Sequence, residues 1–520
     1  MRGFVSVNHN FVHVSFSLDS FLPTTAVTVD VSATMPTIKQ EPDTVELKAQ
    51  CLCKTHTFTA TVPKSQLPLS ATYCHCNSCR HVTGGLYSSY ATWPGPPPDN
   101  ATLSALRGYR FSDSTAILFC GTCGSPMFRE RTSPPPENID DVEVVEKGSE
   151  EVKKEEVKDE VKIKVENENE LANELKDEAK KTEEEVKNEA KNEHRAVTYY
   201  GVFTGVLSGD LRKGEELVRV DHHIFLSDTV DGGAAVWLRR PNKDPDHLAR
   251  CWMGQRGESR ELTALPTSEW PDRLGEAPDI EQDLLIQIKC HCAGVWFELQ
   301  DIMTDKKEGR ACVADEMLPL PWYVDPTTFR ILGSFDACDS CRAASGADMV
   351  YWTFSSLSSI IFWSGQRPCR GAGSVGVTRT QDLKEFVDKP HPAFGTSTLT
   401  YYESSPGVRR YFCRNCSATV FYAADDRDEM VDVAVGLLRT RDGARAESVI
   451  SWGLGGPIGW REDMVNGWRR SLLEGVEREA EEYRLSRGLE KNWRRVMKEE
   501  QAAREAGLGL RSGNSHSRTT

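Results

Sequence analysis

Cysteine spacing constrains this chain more than any other feature. Of its 16 cysteines, 13 fall into two series with the same internal order. The first series runs Cys51-Leu52-Cys53, then Cys74-His75-Cys76-Asn77-Ser78-Cys79-Arg80, then Phe119-Cys120-Gly121-Thr122-Cys123-Gly124-Ser125. The second runs Cys290-His291-Cys292, then Asp336-Ala337-Cys338-Asp339-Ser340-Cys341-Arg342, then Phe412-Cys413-Arg414-Asn415-Cys416-Ser417. In a strand, residues i and i+2 share a face, so a CxC aims two sulfurs one way. A CxxC in a tight turn converges two more, and two such pairs complete a tetrahedral four-sulfur site. Soft thiolates in a rigid tetrahedron favour zinc, with iron–sulfur as the alternative metal and inert thiols or disulfides as the competing readings. The same order twice predicts an internal repeat of a whole domain, not of a short solenoid unit.

Seven cysteines in the first series exceed one tetrahedral site by three. The second series suggests how they divide. It keeps the CxC and the closing CxxC but has Asp336 where the first has Cys74. The four positions kept in both series read as a closed structural site. The other three read as a separate, open site, since three protein ligands and a free fourth position are how catalytic zinc is arranged. A carboxylate also binds zinc, so Asp336, Cys338 and Cys341 are expected to form a weaker site.

A chain of 520 residues allows about two to four domains. Its clearest internal boundary is compositional. Glu137 to Arg195 holds 22 acidic and 12 basic residues, two thirds of the chain's net charge of −15, and no Phe, Tyr or Trp. Such a segment cannot bury enough apolar surface to offset its ordering entropy, so it reads as a disordered spacer or, second, an interaction arm. Ile/Val-Lys-x-Glu patterns there and at Ile38-Lys39-Gln40-Glu41 match the acceptor pattern for ubiquitin-like modifiers, which an acidic, Lys-rich tract also produces by chance. Elsewhere short apolar runs between turn residues, such as Leu86 to Trp93 and Val431 to Leu437, predict strands. From Arg461 to about Ala506 the period changes. Met464, Trp468, Leu472, Val476 and Tyr483, then Leu489, Trp493 and Met497, predict one or two amphipathic helices broken near Gly488. Packing on the preceding domain is the first reading of that stripe, and a partner-binding or coiled-coil dimer helix the second. The last 14 residues read as a frayed polar tail.

At the cysteine clusters the chain resembles the family of glutathione-dependent formaldehyde-activating enzymes, which also contains centromere protein V. The resemblance rests on the CxC, the CxCxxCR followed by Gly84-Gly85, and the FCxxCGS. It implies a mainly β fold of two tandem zinc-binding β-tent-like domains, residues 45–256 and 284–457. Residues 1–44 would be an N-terminal tail, 137–195 an insertion, 257–283 a linker, and 458–520 the helical segment and tail. By the resemblance, Cys51, Cys53, Cys120 and Cys123 share one structural zinc, and Cys290, Cys292, Cys413 and Cys416 another. Cys74, Cys76 and Cys79 would hold the zinc linked to activity, and are the candidate catalytic residues. The second copy departs at Asp336, at Ser417 in place of Gly, and at Gly346-Ala347 in place of Gly84-Gly85, which weighs towards a scaffold role. The activity implied is formation of S-hydroxymethylglutathione from glutathione and formaldehyde, formally a carbon–sulfur lyase reaction. An open zinc suits it by lowering a thiol pKa or polarising a carbonyl.

Two function classes therefore stand side by side: an enzyme acting on a small thiol such as glutathione, and a non-catalytic scaffold recruiting proteins through the acidic insertion or the C-terminal helix. Arg80 is a candidate for binding an anionic substrate group, with surface packing as the plainer alternative. His56, His75, His81 and His291 read as flanking groups rather than ligands, and Cys251, Cys312 and Cys369 as free thiols. The acidic balance and the lack of a Lys/Arg stripe at the clusters argue against nucleic acid as a partner. No apolar run reaches the roughly 18 residues that a membrane span needs, and no continuous signal-peptide core is visible. Met35 reads as an alternative start. Thiolate zinc sites imply reducing surroundings, cytoplasmic or nuclear.

Overall fold

The computed structural model describes residues 4–8, 11–15, 43–95, 103–133, 197–212, 214–262, 285–300, 320–364, 367–368, 377–389 and 398–506. The acidic segment, Ile38-Lys39-Gln40-Glu41, Met35, Cys312, Cys369, most of the expected linker and the last 14 residues lie outside these. The chain divides into two units, Met1–Thr44 and Val45–Thr520. In the first, Phe4–Asn8 and Phe11–Ser15 pair as an antiparallel hairpin.

In the second unit, strand periodicity builds the core directly. Thr44–Gln50 buries Val45, Leu47 and Ala49, and Thr57–Pro63 buries Phe58, Ala60 and Val62, every second residue in each. These two strands and Leu207–Gly209 form a three-stranded sheet. Beside it stands a nine-stranded sheet. Its order is Glu261–Leu262, Arg250–Trp252, Val218–Ile224, Leu69–Cys74, Ser88–Thr92, Val197–Phe203, Pro126–Ser133, Thr115–Phe119, Arg107–Ser112. It reaches Leu262, six residues past the expected domain end at 256.

The later half repeats this pattern. A seven-stranded sheet runs Ile450–Trp452, Ile331–Asp336, Val350–Ser356, Met430–Ala434, Thr419–Ala424, Val408–Cys413, Leu399–Ser405. That is the order of the last seven strands of the nine-stranded sheet, including one parallel pair at the same place: Val218–Ile224 on Leu69–Cys74, and Ile450–Trp452 on Ile331–Asp336. Leu438–Arg439, Leu285–Lys289 and Trp296–Gln300 likewise match the three-stranded sheet, within a sheet of five. Val197 pairs with Ser133, so the strands on either side of residues 134–196 are neighbours in the sheet. The corresponding hairpin, Thr419–Ala424 to Met430–Ala434, is closed by five residues.

One hydrophobic core spans both halves. Trp237, fully buried, sits 4.6 Å from Phe335, 4.8 Å from Trp452 and 5.9 Å from Tyr351, ring to ring. Each half also lends a turn to the other. Helix α1 (Asn77–Thr83) ends on Gly84, whose carbonyl accepts from Gly436 N at 3.0 Å; helix α2 (Asp339–Ser345) ends on Gly346, whose carbonyl accepts from Gly205 N at 3.0 Å. Both glycines are left-handed, φ 82° and 73°, a conformation that costs a side-chain-bearing residue free energy. A buried polar hub joins the halves. Asp348 accepts from Tyr73 Oη (3.1 Å), from Thr204 Oγ1 and from Arg469 Nε (2.8 Å).

Of the remaining helices, α3 (Thr380–Asp388) and α4 (Glu462–Val465) are short, and α5 (Arg470–Ser486) and α6 (Trp493–Glu505) form the C-terminal segment. The α5 stripe Leu472, Leu473, Val476, Ala480 and Tyr483 is buried in this core, with Glu479 Oε1 2.6 Å from Arg240 Nε. The stripe thus packs on the protein's own halves. The helices part around Gly488, as its φ of 61° permits. Leu489 and Met497 remain exposed. Among the described residues no helix is long and apolar enough to cross a membrane.

Candidate metal centres

The CxC of the first series lies just past the strand Thr44–Gln50, and the closing CxxC just past Thr115–Phe119. The fold brings the two pairs together. The four sulfurs of Cys51, Cys53, Cys120 and Cys123 lie within 4.8 Å of one another. Cys51 Sγ is 3.5 Å from Cys53 Sγ, which is 3.6 Å from Cys120 Sγ. A zinc tetrahedron with Zn–S of about 2.3 Å has edges of about 3.8 Å, so the set fits zinc. The backbone N–H of His56 donates to Cys51 Sγ at 3.3 Å. Crowding makes the thiols unlike one another. Hydrogen bonds with Cys123 and Cys51 hold Cys120 down to about 3, whereas hydrogen bonding with Cys120 pushes Cys51 far up. A central cation is what lets four packed sulfurs all be thiolates.

Cys290, Cys292, Cys413 and Cys416 repeat the arrangement. Their sulfurs lie within 4.8 Å of one another, with 3.6 Å from Cys290 to Cys292 and 3.4 Å from Cys292 to Cys413. Val295 N and Gly294 N donate to Cys290 and Cys292 at 3.3 and 3.4 Å. Ser417 takes the place of Gly124 and is likewise left-handed, φ 67° against 77°. Its hydroxyl donates to Val82 O across the junction at 3.1 Å.

Cys74, Cys76 and Cys79 form a third cluster. Cys74 ends the strand Leu69–Cys74, Cys76 is the N-cap of α1, and Cys79 lies in its first turn. The three sulfurs lie within 4.8 Å of one another, Cys74 to Cys76 at 3.5 Å, and Cys79 N donates to Cys76 Sγ at 3.3 Å. Among the described residues no fourth Cys, His or carboxylate completes the group. Cys74 and Cys79 pack with Ile224 and Trp252, and Tyr90, Phe111 and Phe225 flank them. Arg129 stands over the Tyr90 ring at 4.8 Å, with its Nε buried and unpaired. Hydrogen bonds with Cys74 and Cys76, and then the Arg129 charge, hold the Cys79 thiol well below its usual range.

Asp336, Cys338 and Cys341 form the fourth cluster, also within 4.8 Å. Its neighbours differ. Asp336 Oδ1 accepts from Cys338 N at 2.8 Å and Oδ2 from Trp352 Nε1 at 2.9 Å. Arg410 Nη1 donates to Cys341 Sγ at 3.2 Å. The strand registers relate the two sites. Ile117 pairs with Arg129, and Arg410 with Tyr422, each pair two residues before the Phe of the closing motif. The arginine has changed strands between the halves.

His75 turns from the cluster to His223, Nε2 to Nδ1 at 3.0 Å, and burial lowers its pKa well below the usual value. Burial lowers His81 to about 2. His291 Nδ1 lies 2.9 Å from Tyr109 Oη. None of these, nor His56, joins a ligand group. Arg80 is buried, 6% exposed, so it does not present a free guanidinium at the surface. Its counterpart Arg342 donates to Ala337 O and Asp339. Cys251 is a buried free thiol. Arg129, Arg410, Tyr90 and Trp352 were not singled out from sequence. One signal was available: Ala116-Ile117-Leu118-Phe119-Cys120 against Arg409-Arg410-Tyr411-Phe412-Cys413 places a new charge two residues before a repeated motif.

Compared with known families, residues 46–167 match the model described as glutathione-dependent formaldehyde-activating enzyme. Neither the curated proteins nor the solved structures give a match.

Proposed function

We propose that the first half catalyses the reversible addition of a small thiol of the glutathione class to formaldehyde, a carbon–sulfur lyase reaction in the reverse sense. The observation that carries this is the three-sulfur cluster Cys74, Cys76 and Cys79. It has no fourth protein ligand among the described residues, and it lies within the segment matched by the family model. Zinc bound there would supply Lewis acidity and lower the pKa of an incoming thiol.

The chain's own residues supply the rest. Cys79 and Cys74, buried, fix two sulfurs rigidly, and half-buried Cys76 leaves one side of the cluster approachable. Trp252, Phe225 and Phe111 exclude water from it. Arg129 offsets the negative charge that three thiolates carry. In the reaction the thiol sulfur bonds to the carbonyl carbon, the C=O π bond breaks, and the oxygen takes the thiol's proton. The two four-cysteine sets are read as closed structural zinc sites. The second half is read as a diverged copy of the first, on the strength of its strand order, with a scaffold role. Recruitment of partners by the acidic segment is the alternative reading.

The test is elemental zinc and catalysis on the parent and a Cys74/Cys76/Cys79→Ser variant. The reading expects one zinc fewer per chain in a folded variant, and loss of accelerated equilibration between glutathione and formaldehyde by exchange NMR. Equal zinc and equal rates in both proteins would leave only the scaffold.

A further inference from the structure

The fourth cluster has the spacing of a metal site but a different charge beside it. Both Asp336 oxygens already accept hydrogen bonds, from Cys338 N and Trp352 Nε1. The residue is 8% exposed, so neither bond is readily exchanged for water. Cys341 Sγ accepts a charged hydrogen bond from Arg410 Nη1 at 3.2 Å. Arg410 is itself buried, and its guanidinium lies 5.1 Å over the Tyr422 ring. A fixed cation thus stands where a metal's charge would otherwise be needed, and a divalent ion beside it would meet like charge in a low-dielectric site. At Cys74, Cys76 and Cys79 the arginine, Arg129, makes no hydrogen bond to a cysteine; its one hydrogen bond among the described residues is to Thr115 Oγ1 at 3.5 Å.

What remains is a dithiol. Cys338 and Cys341 are separated by two residues, with sulfurs no more than 4.8 Å apart. Cys338 is half-buried and Cys341 is covered. One sulfur can therefore meet an external reactant while the other waits beneath it, and side-chain rotation closes such a pair to the roughly 2.05 Å of a disulfide. We infer that the Asp336–Cys338–Cys341 cluster binds no metal and that Cys338 and Cys341 form a redox pair exchanging with small disulfides. This inference goes beyond the first-half reading and does not depend on it.

The exchange balances without a further reactant. The Cys338 thiolate attacks one sulfur of RS–SR. That S–S bond breaks, a mixed disulfide forms on Cys338, and RS⁻ leaves to take a proton. The Cys341 thiolate then attacks the Cys338 sulfur, releasing the second RS⁻. Two electrons and two protons pass from the protein dithiol to the external disulfide, giving one protein disulfide and two RSH. Arg410, donating to Cys341, favours its thiolate and positions it as the resolving sulfur.

The test uses the full, zinc-loaded protein in buffers of graded glutathione disulfide to glutathione ratio. Disulfides are mapped by alkylation and mass spectrometry, and zinc release is followed with a chromogenic chelator. The expected result is a Cys338–Cys341 disulfide that forms and reverses with no zinc released. Cys341→Ser should instead accumulate glutathione on Cys338. Zinc released in step with that disulfide would overturn the inference. So would a zinc lost per chain in Cys341→Ser, or the absence of the disulfide at every ratio that leaves the four-cysteine sets intact. Because the parent protein alone decides it, misfolding of a variant does not protect the idea. Inactivity of the first half towards formaldehyde would leave the disulfide result unchanged, so the two readings fail separately.

Discussion

Two three-residue clusters occupy the same place in two sheets that share a seven-strand order, yet their surroundings differ. At Cys74, Cys76 and Cys79 three sulfurs converge beside an arginine that binds none of them. At Asp336, Cys338 and Cys341 a carboxylate is tied down by Trp352 and an arginine holds a sulfur. The frame is kept by the four-cysteine sets, the glycine-capped helices and the shared core. The chemistry is set by a handful of side chains on that frame: the residue at 74 or 336, the ring at 90 or 352, and the strand that carries the arginine. The residues that repeat between the halves are thus separate from those that differ around the clusters.

The comparison breaks first, and hardest, at the four-cysteine sets, where the halves should be alike. A structural zinc contributes about 10–16 kcal/mol in small zinc domains, as much as or more than the roughly 5–15 kcal/mol of net stability of a folded domain. Cys53→Ser and Cys292→Ser should therefore each abolish a cooperative thermal transition and lower the zinc content. A parent-like melting temperature for either variant would show that its site is not structural.

Next comes the junction. Arg469→Met would leave Asp348 buried with only Tyr73 and Thr204 as donors. Removing one partner of a buried ion pair costs about 3–5 kcal/mol. Urea unfolding should show that loss, with both halves still melting in one transition because they share one core. Two separate transitions in the parent would mean that the halves are energetically independent.

The clusters themselves should then part company. Cys76→Ser is expected to lower the rate of thiol–formaldehyde equilibration by at least about 100-fold, whereas Cys338→Ser leaves it unchanged. A smaller loss, about 10-fold to 100-fold, is expected for Arg129→Met, measured at constant zinc content. If Cys338→Ser is the damaging change, the assignment of the two halves is inverted.

Much of this could be read from sequence because cysteine spacing encodes local geometry. The CxC and CxxC pairs and the break near Gly488 follow from rules acting over a few residues. The arginine exchange did not follow. Arg129 and Arg410 lie on different strands, and only register shows that both face a cluster. The shared core was hidden for the same reason. Trp237, Tyr351 and Trp452 are distant in sequence and meet only once both halves are assembled. The C-terminal stripe showed its period but not the surface that covers it.

The smallest effect tests whether a departure in the second half is a defect or an adjustment. Ser417 stands where the first half has Gly124, and both backbones are left-handed. A left-handed residue with a side chain costs about 1 kcal/mol or more. The Ser417 hydroxyl recovers much of that by its hydrogen bond to Val82 O, which contributes about 1 kcal/mol when buried. Ser417→Gly removes both terms and should change stability by less than about 1 kcal/mol. Ser417→Ala keeps the strained backbone and loses the bond, leaving a buried carbonyl with one partner fewer, so it should destabilise by about 1–2 kcal/mol. Equal unfolding free energies for the Gly and Ala variants would show that the left-handed turn costs nothing there. A more stable Ala variant would reverse the argument and make the hydroxyl, not the backbone, the source of strain.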